Sequence, residues 1–224
     1  MVITREFNEE EYLVMVTRKG TVKRLPFIAL NTRRKTGIRA LTLDEGDQLI
    51  NVIRTNGNDN IILATREGMA ICFNENDVRP MGRDAAGVRG ITLVDDDFVI
   101  GAEKVEAGKT LLTVTENGYG KRTELPEYLR TGPDGEKIPQ SRGGKGLKNY
   151  NITPKTGRVA GCRVVGDTDD VMLIENGGVI IRVPASSINV YKRDVQGVII
   201  MRIEEGNQLV SLERVEAIAE ETEA

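Results

Sequence analysis

Apolar positions along this chain fall in short blocks separated by polar turns, not along helical faces. Four segments share one arrangement: YLVMVTRKGTVKRL from Tyr12, NIILATREGMAICF from Asn60, TLLTVTENGYGKRT from Thr110 and VMLIENGGVIIRV from Val171. Each is an apolar run, a polar turn ending in glycine, and a second run rich in strand formers, which reads as a β-hairpin. The turn glycines Gly20, Gly68, Gly118 and Gly178 are spaced by 48, 50 and 60 residues. They supply a positive φ that other side chains adopt only with strain, so they are fold punctuation and not phosphate cradles.

Two further markers recur. TGIRALTL from Thr36, AGVRGITL from Ala86, KGLKNYNIT from Lys145 and QGVIIMRI from Gln196 carry a second glycine: Gly37, Gly87, Gly146 and Gly197. GDQLINVI, DDFVIGAEKV and GNQLVSLERV close three of the units, and GRVAGCRVV takes that place in the third. The third unit is longer because RTGPDGEKIP, Arg130 to Pro139, is inserted; its glycine, proline and charge predict an exposed loop. Helical periodicity is absent from 11 to 212. One helix candidate remains, the tail from Glu213 to Ala224, with Val215, Ile218 and Ala219 on one face; it is short and acidic, and fraying or disorder is an equal reading.

Strand–turn–strand units at this period predict an all-β, propeller-like array of four-stranded blades. One small sheet cannot bury both faces alone, whereas stacked sheets do. The blades are expected at about 8–54, 59–105, 109–166 and 169–215, with an acidic tail at 216–224. A first blade with no neighbour before it is expected to expose a strand edge and an apolar face, giving self-association or disorder at residues 1–12.

Composition narrows the chemistry. The 224 residues contain no histidine and no tryptophan. That removes Ser-His-Asp and Cys-His nucleophile systems and His-ligated metals. Aromatics are 4%, which argues against base-stacking platforms for single strands. Cys72 and Cys162 lie in apolar runs and read as buried, reduced thiols. MVITREFNEEEY has no apolar signal core, and no stretch approaches the ~20 apolar residues of a bilayer span, so the reading is soluble, cytoplasmic and without a membrane partner. Asp95-Asp96-Asp97 is the best enzyme-like cluster, but it reads as a solvated turn matched by Asp44-Glu45-Gly46-Asp47.

The net charge of −3 hides an asymmetry. From Glu204 onward there are seven glutamates and one basic residue, Arg214; residues 1–203 hold 30 basic and 27 acidic residues. The basic residues gather around the second glycine of each unit: Arg33, Arg34 and Lys35 with Arg39; Arg79 and Arg83 with Arg89; Arg142 and Lys145 with Lys148; Lys192 and Arg193. Stacked blades would join these corners into a basic belt. Such a belt suits the regularly spaced phosphates of duplex DNA, bound through backbone charge and bendability with little base reading. The alternative is a propeller-type protein-interaction scaffold whose belt is incidental.

The segment Gln140-Ser141-Arg142-Gly143-Gly144-Lys145-Gly146 concentrates this chemistry. Its glycines let the backbone approach a partner, and N–H groups with two cations could meet a phosphate; the same glycines also suit a tight corner between blades. GxxxxGK[ST] spacing is missing, so it is no P-loop. The segment resembles the gyrase A box, Q-R-R-G-G-K-G, departing at Ser141. TENGYGKRT from Thr115, DVRPMGRDAAGVRGITL from Asp77, VITREF from Val2 and QGVIIMRIEEGNQLVSLERV from Gln196 are similar to the C-terminal domain of the DNA gyrase A polypeptide, and the resemblance runs in order over nearly all of 1–215. It implies a β-pinwheel, whose blades exchange strands with neighbours. A whole domain of the family usually has six blades, and this chain resembles the last four, without the catalytic regions of the full polypeptide. The box here then resembles a secondary copy. The resemblance further implies a non-catalytic module of a bacterial type IIA topoisomerase that binds and wraps double-stranded DNA and sets the handedness of supercoiling. Its partners would be the remainder of the gyrase A polypeptide and, through it, the gyrase B polypeptide; no cofactor is implied. The corresponding C-terminal domain of topoisomerase IV is the nearest alternative, and the well-kept QSRGGKG and GYGKRT favour gyrase.

Overall fold

The computed structural model describes residues 4, 6–34 and 36–215. The first repeat forms β1 (Tyr12–Thr17), β2 (Thr21–Pro26) and β3 (Leu49–Thr55). The second forms β4 (Asn60–Thr65), β5 (Met69–Asn74), β6 (Val88–Arg89) and β7 (Val99–Lys104). The third forms β8 (Thr110–Thr115), β9 (Tyr119–Glu124), β10 (Arg130–Thr131), β11 (Lys137–Ile138), β12 (Leu147–Lys148) and β13 (Val159–Val165). The fourth forms β14 (Asp170–Glu175), β15 (Ile180–Pro184), β16 (Val198–Ile199) and β17 (Leu209–Val215). Short 3-10 turns follow the hairpins, and the described residues contain no α-helix. The inserted segment of the third repeat is exposed, as expected, and is ordered as a small β10–β11 hairpin. The helix candidate is replaced over its first residues by β17, because Arg214 and Glu213 pair with Val171 and Met172 of β14; the rest of the tail lies outside the described residues.

Strand order explains the repeat. The sheets run β3-β1-β2-β6, β12-β5-β4-β7 and β13-β8-β9-β16, so each hairpin gains its outermost strand from the following repeat. The fourth sheet, β15-β14-β17, has three strands, and the outer edge of β15 receives none among the described residues. Successive innermost strands pack in order, β3 on β7, β7 on β13 and β13 on β17. A bulge near the end of every hairpin, as at Val16/Thr17 and Ala64/Thr65, turns this innermost strand.

Burial follows the stacking. β1, β4 and β8 are buried on both faces almost throughout, because blades or crossing loops cover each side. One core joins Val14, Val16 and Val22 to Ile61, Leu63, Ile71 and Phe73 of the next blade. β14 alternates buried and half-buried residues, and β15 alternates exposed and half-buried ones, the pattern of a sheet with one covered face. The expectation of an exposed first blade is met only in part: Leu49, at the start of β3, is 43% exposed, but the hairpin has no open outer edge. The first sheet is complete through β6, and the crossing segment around Ala40 lies on its far face, where Ala40 O accepts from Lys23 Nζ at 2.8 Å. The open edge belongs to the last blade. Of residues 1–12, Met1 to Ile3 and Arg5 lie outside the described residues; Phe7 packs on Phe27 at 5.0 Å between ring centroids.

Cys72 and Cys162 are unpaired and each 1% exposed, in a shared core with Leu111, Tyr128 and Val164. Burial pushes both thiols up to about 12.

Candidate nucleic-acid interface

The donated strands arise from loops that leave their own hairpin, cross outward and join the preceding sheet. Each crossing begins with one backbone contact on the earlier hairpin. Met81 N donates to Arg24 O at 2.9 Å, Gln140 N to Cys72 O at 2.8 Å and Tyr191 N to Arg122 O at 2.8 Å. Each ends at the donor glycine. Gly87, Gly146 and Gly197 have φ of +108°, +75° and +68°, and a Cβ there would drive into the carbonyl oxygens of Val22, Ala70 and Gly120. The main chains meet so closely that only glycine fits.

Counting from that glycine, the cations fall in register. The fourth residue before it is Arg33, Arg83, Arg142 or Arg193; the second after it is Arg39, Arg89, Lys148 or, in the last repeat, Ile199. Arg89 and Lys148 thus sit on outermost strands, opposite Thr21 and Met69. Arg33, Arg34, Arg89, Lys145, Lys148 and Lys192 are exposed, while Arg83, Arg142 and Arg193 are half-buried; Lys35 lies outside the described residues.

The half-buried arginines join one crossing loop to the next. Arg142 Nη1 donates to Arg89 O at 3.0 Å and Nε to Asp77 O at 2.8 Å. Arg193 Nη1 donates to Lys148 O at 3.0 Å. The basic corners of the second, third and fourth repeats are therefore continuous. Thr42 Oγ1 donates to Asp84 O at 3.3 Å and carries the contact back to the first.

Two buried lysines hold these loops, and the sequence pattern did not single them out. Lys23 and Lys121 are each 0% exposed. Lys23 Nζ donates to the carbonyls of Ala40, Arg83 and Ala85 at 2.6–2.8 Å. Lys121 Nζ donates to those of Lys192 and Arg193 at 2.6 Å, and lies 5.3 Å from the Tyr150 ring centroid. Desolvation lowers both ammonium groups, Lys121 to about 7, against the opposing pull of Asp84 on Lys23 and of Asp194 on Lys121. The signal was present as Lys-Arg at the same register of the first and third hairpins, where the second and fourth carry Ile71 and Ile181. The following arginines lock blade to blade. Arg24 Nη1 donates to Asn76 Oδ1 at 2.8 Å, and Arg122 Nε to Ile188 O at 2.7 Å.

The box-like segment is a clasp between crossings. Gly143 N donates to Gly90 O at 2.6 Å, and Arg142 N to Asp77 Oδ2 at 3.3 Å, so these amides face protein and are not presented to a phosphate. Thr92 donates to Gly144 O through its amide and to Gly143 O through its hydroxyl. Gln140 Nε2 donates to Tyr128 O at 2.9 Å, anchoring the start of the segment, while Ser141 is exposed. Gly144 has ordinary room for a side chain.

Charge pairing is uneven across the molecule. Several cations between the blades have carboxylate partners, such as Arg66–Glu116 at 2.5 Å, Arg158–Glu67 at 2.6 Å and Arg163–Glu213 at 3.0 Å. None of the described rim cations, Arg33 to Arg193, has an ion-pair partner among the described residues. The aspartate cluster is a turn fastener: Asp97 Oδ1 accepts from Glu67 N at 2.9 Å and Phe98 N at 2.8 Å.

The family model described as "DNA gyrase C-terminal domain, beta-propeller" matches four times, over residues 11–56, 59–106, 109–166 and 169–216. The DNA gyrase A polypeptide of Haloquadratum walsbyi is 41% identical over 208 residues, 92% of this chain and 23% of that protein. That of Clostridium acetobutylicum is 43% identical over 215 residues, 96% of this chain and 25% of that protein. The chain thus spans about a quarter of the length of these relatives. Among solved structures, the C-terminal domain of DNA topoisomerase IV aligns with a TM-score of 0.86 at 25% identity, covering 96% of this chain and 64% of that one. A DNA gyrase A C-terminal domain aligns at 0.80 and 24% identity, covering 94% and 68%. The second likeness supports the fold alone.

Proposed function

This chain belongs to the DNA gyrase C-terminal domain family, and from that premise we propose that it is a non-catalytic module that binds double-stranded DNA along its basic rim and bends the duplex around it. The unpaired state of the rim cations carries this reading. A fold that places carboxylates beside Arg66, Arg158, Arg163 and Arg182, yet leaves Arg33, Arg34, Arg83, Arg89, Lys145 and Lys192 without ion-pair partners among the described residues, keeps charge available for an external polyanion. Basic residues recur at two registers of successive blades, Arg33, Arg83, Arg142 and Arg193 at one and Arg39, Arg89 and Lys148 at the other, which spaces charge from blade to blade and favours contact with a bent backbone over base reading.

In a topoisomerase, such bending presents a DNA segment to the cleavage core with one hand, while ATP hydrolysis and strand passage belong to the rest of the gyrase A polypeptide and to gyrase B. A topology assay tests the wrapping. Bound to relaxed closed plasmid and treated with a relaxing topoisomerase, the chain is expected to leave a linking-number change of one sign that grows with protein per plasmid. Binding without any such change would reject wrapping and retain DNA binding alone.

A further inference from the structure

Three crossing loops turn once before their donor glycine, at Arg83-Asp84, Arg142-Gly143 and Arg193-Asp194. The second amide of each turn, three residues before the glycine, is Asp84 N, Gly143 N or Asp194 N. In the third repeat it is satisfied within the protein: Gly143 N donates to Gly90 O, and Arg142 N before it to Asp77 Oδ2. The hairpin beneath that loop carries Ile71. Beneath the other two loops the same register holds a buried lysine, which takes the carbonyl of the peptide in question. Lys23 Nζ donates to Arg83 O and Lys121 Nζ to Arg193 O, each at 2.6 Å.

A trans peptide points its N–H opposite to its C=O, and the described residues contain no cis peptide. With the carbonyls drawn inward, Asp84 N and Asp194 N face away from the hairpin, and neither has an acceptor among the described residues. At the fourth corner Lys192 O is drawn in as well, 2.6 Å from Lys121 Nζ, so Arg193 N is turned out beside Asp194 N and likewise has no acceptor among the described residues. Two adjacent amides thus lie over a buried ammonium, next to the exposed Lys192. Successive backbone N–H groups at a turn form a seat for an anion.

We propose that the Arg193 and Asp194 amides seat a backbone phosphate of duplex DNA, and that Lys121 is the positioning residue that presents them. This seat rests on the rim being the DNA-binding surface, and adds main-chain donors to its side-chain cations. The Lys121 ammonium faces Lys192, Arg193 and the exposed carboxylate of Asp194 on the crossing loop, Glu127 on the turn after β9, and the Tyr150 ring. A phosphate on the seat favours the ammonium form and raises its value from about 7, so duplex binding takes up a proton from the buffer. Affinity then grows as pH falls from about 9 to about 7, a range in which this chain has no histidine to titrate.

The test is the affinity of the 224-residue chain for a random-sequence duplex, with amide resonances of the wild type followed by NMR. Arg193→Ala removes the side chain and keeps the amide; Arg193→Pro removes both, and proline suits the first central position of a turn. Arg193→Pro is expected to bind about tenfold more weakly than Arg193→Ala. Wild-type affinity is expected to rise about threefold from pH 9 to pH 7, and Lys121→Met to flatten that profile. The Arg193 and Asp194 amide protons of the wild type are expected to move downfield with duplex, a measurement that stands should Arg193→Pro misfold. Inorganic phosphate is the control: equal shifts at equal phosphate concentration would make this a free-anion site and overturn the duplex assignment. Absence of duplex binding by the wild type would remove the rim reading and the seat together. With binding intact, equal affinities of the two Arg193 variants, or unmoved amides, would overturn the seat and leave the rim; a pH profile unchanged in Lys121→Met would overturn the positioning role.

Discussion

Lys121 keeps its whole side chain out of water while its ammonium donates to the carbonyls of Lys192 and Arg193. Desolvation lowers its pKa to about 7, against 10.5 in an open chain. Between those values the unfolded chain binds more protons than the folded one, so stability gains a rising component from about pH 7 to 10.5. The Lys121→Met variant should lose that component, with a slope difference of up to about 1.4 kcal/mol per pH unit in urea titrations at about pH 7.5 to 9.5. Equal slopes would contradict the burial of a titrating ammonium. Glu75 is the carboxylate counterpart. It is 0% exposed and accepts from Thr55 Oγ1, Gly57 N and Asp59 N at 2.7–3.0 Å. Arg24 Nε lies 3.0 Å away, paired by charge without hydrogen-bond alignment. Replacing Glu75 with Ala strands that buried guanidinium and three donors, and should cost about 3–5 kcal/mol in a denaturant titration. A loss under about 1 kcal/mol would show that the guanidinium escapes to water. Neither residue was singled out beforehand, since a lysine or glutamate in a polar stretch reads as surface unless its partners are known or, for Lys121, its register is compared across the hairpins.

At the scale of the element, the hairpins were plain in the sequence because both strands and the turn glycine lie close together, Tyr12 to Pro26 in the first. The donated strands were not. Each is two residues long and pairs with a strand of the preceding repeat, so alternation has no room to appear. Their glycines were visible as markers, yet the direction of exchange was not, and the open edge was expected on the first blade instead of the last. The contrast between equivalent glycines gives a clean measurement. Gly146→Ala places a Cβ against Ala70 O on top of the positive-φ strain, whereas Gly37→Ala carries the strain alone. Strain alone is about 1 kcal/mol. Gly146→Ala should therefore be the more destabilising by at least about 1–2 kcal/mol. Similar losses would mean that the donor strand is not held where it lies.

For the whole molecule, the basic corners were readable as a periodic charge pattern, and the crossing loops join three of them through Arg142 and Arg193. The sequence could not show that these two arginines commit donors to backbone carbonyls, nor that the glycines of the box-like segment shape a corner. Lys145, Arg89 and Lys192 are exposed, as are Arg33, Arg34 and Lys148, and the proposed DNA binding at the rim rests on them. The direct test is the affinity for a random-sequence duplex of some tens of base pairs, measured at several salt concentrations. Neutralising three to five phosphates predicts a slope of log K against log[salt] between roughly −3 and −5. Replacing Arg89, Lys145 and Lys192 by Ala together should make it shallower by about 2–3, with equal loss on every sequence. A slope near zero in the wild-type chain, or one unmoved by the triple replacement, would contradict the rim as a DNA-binding surface.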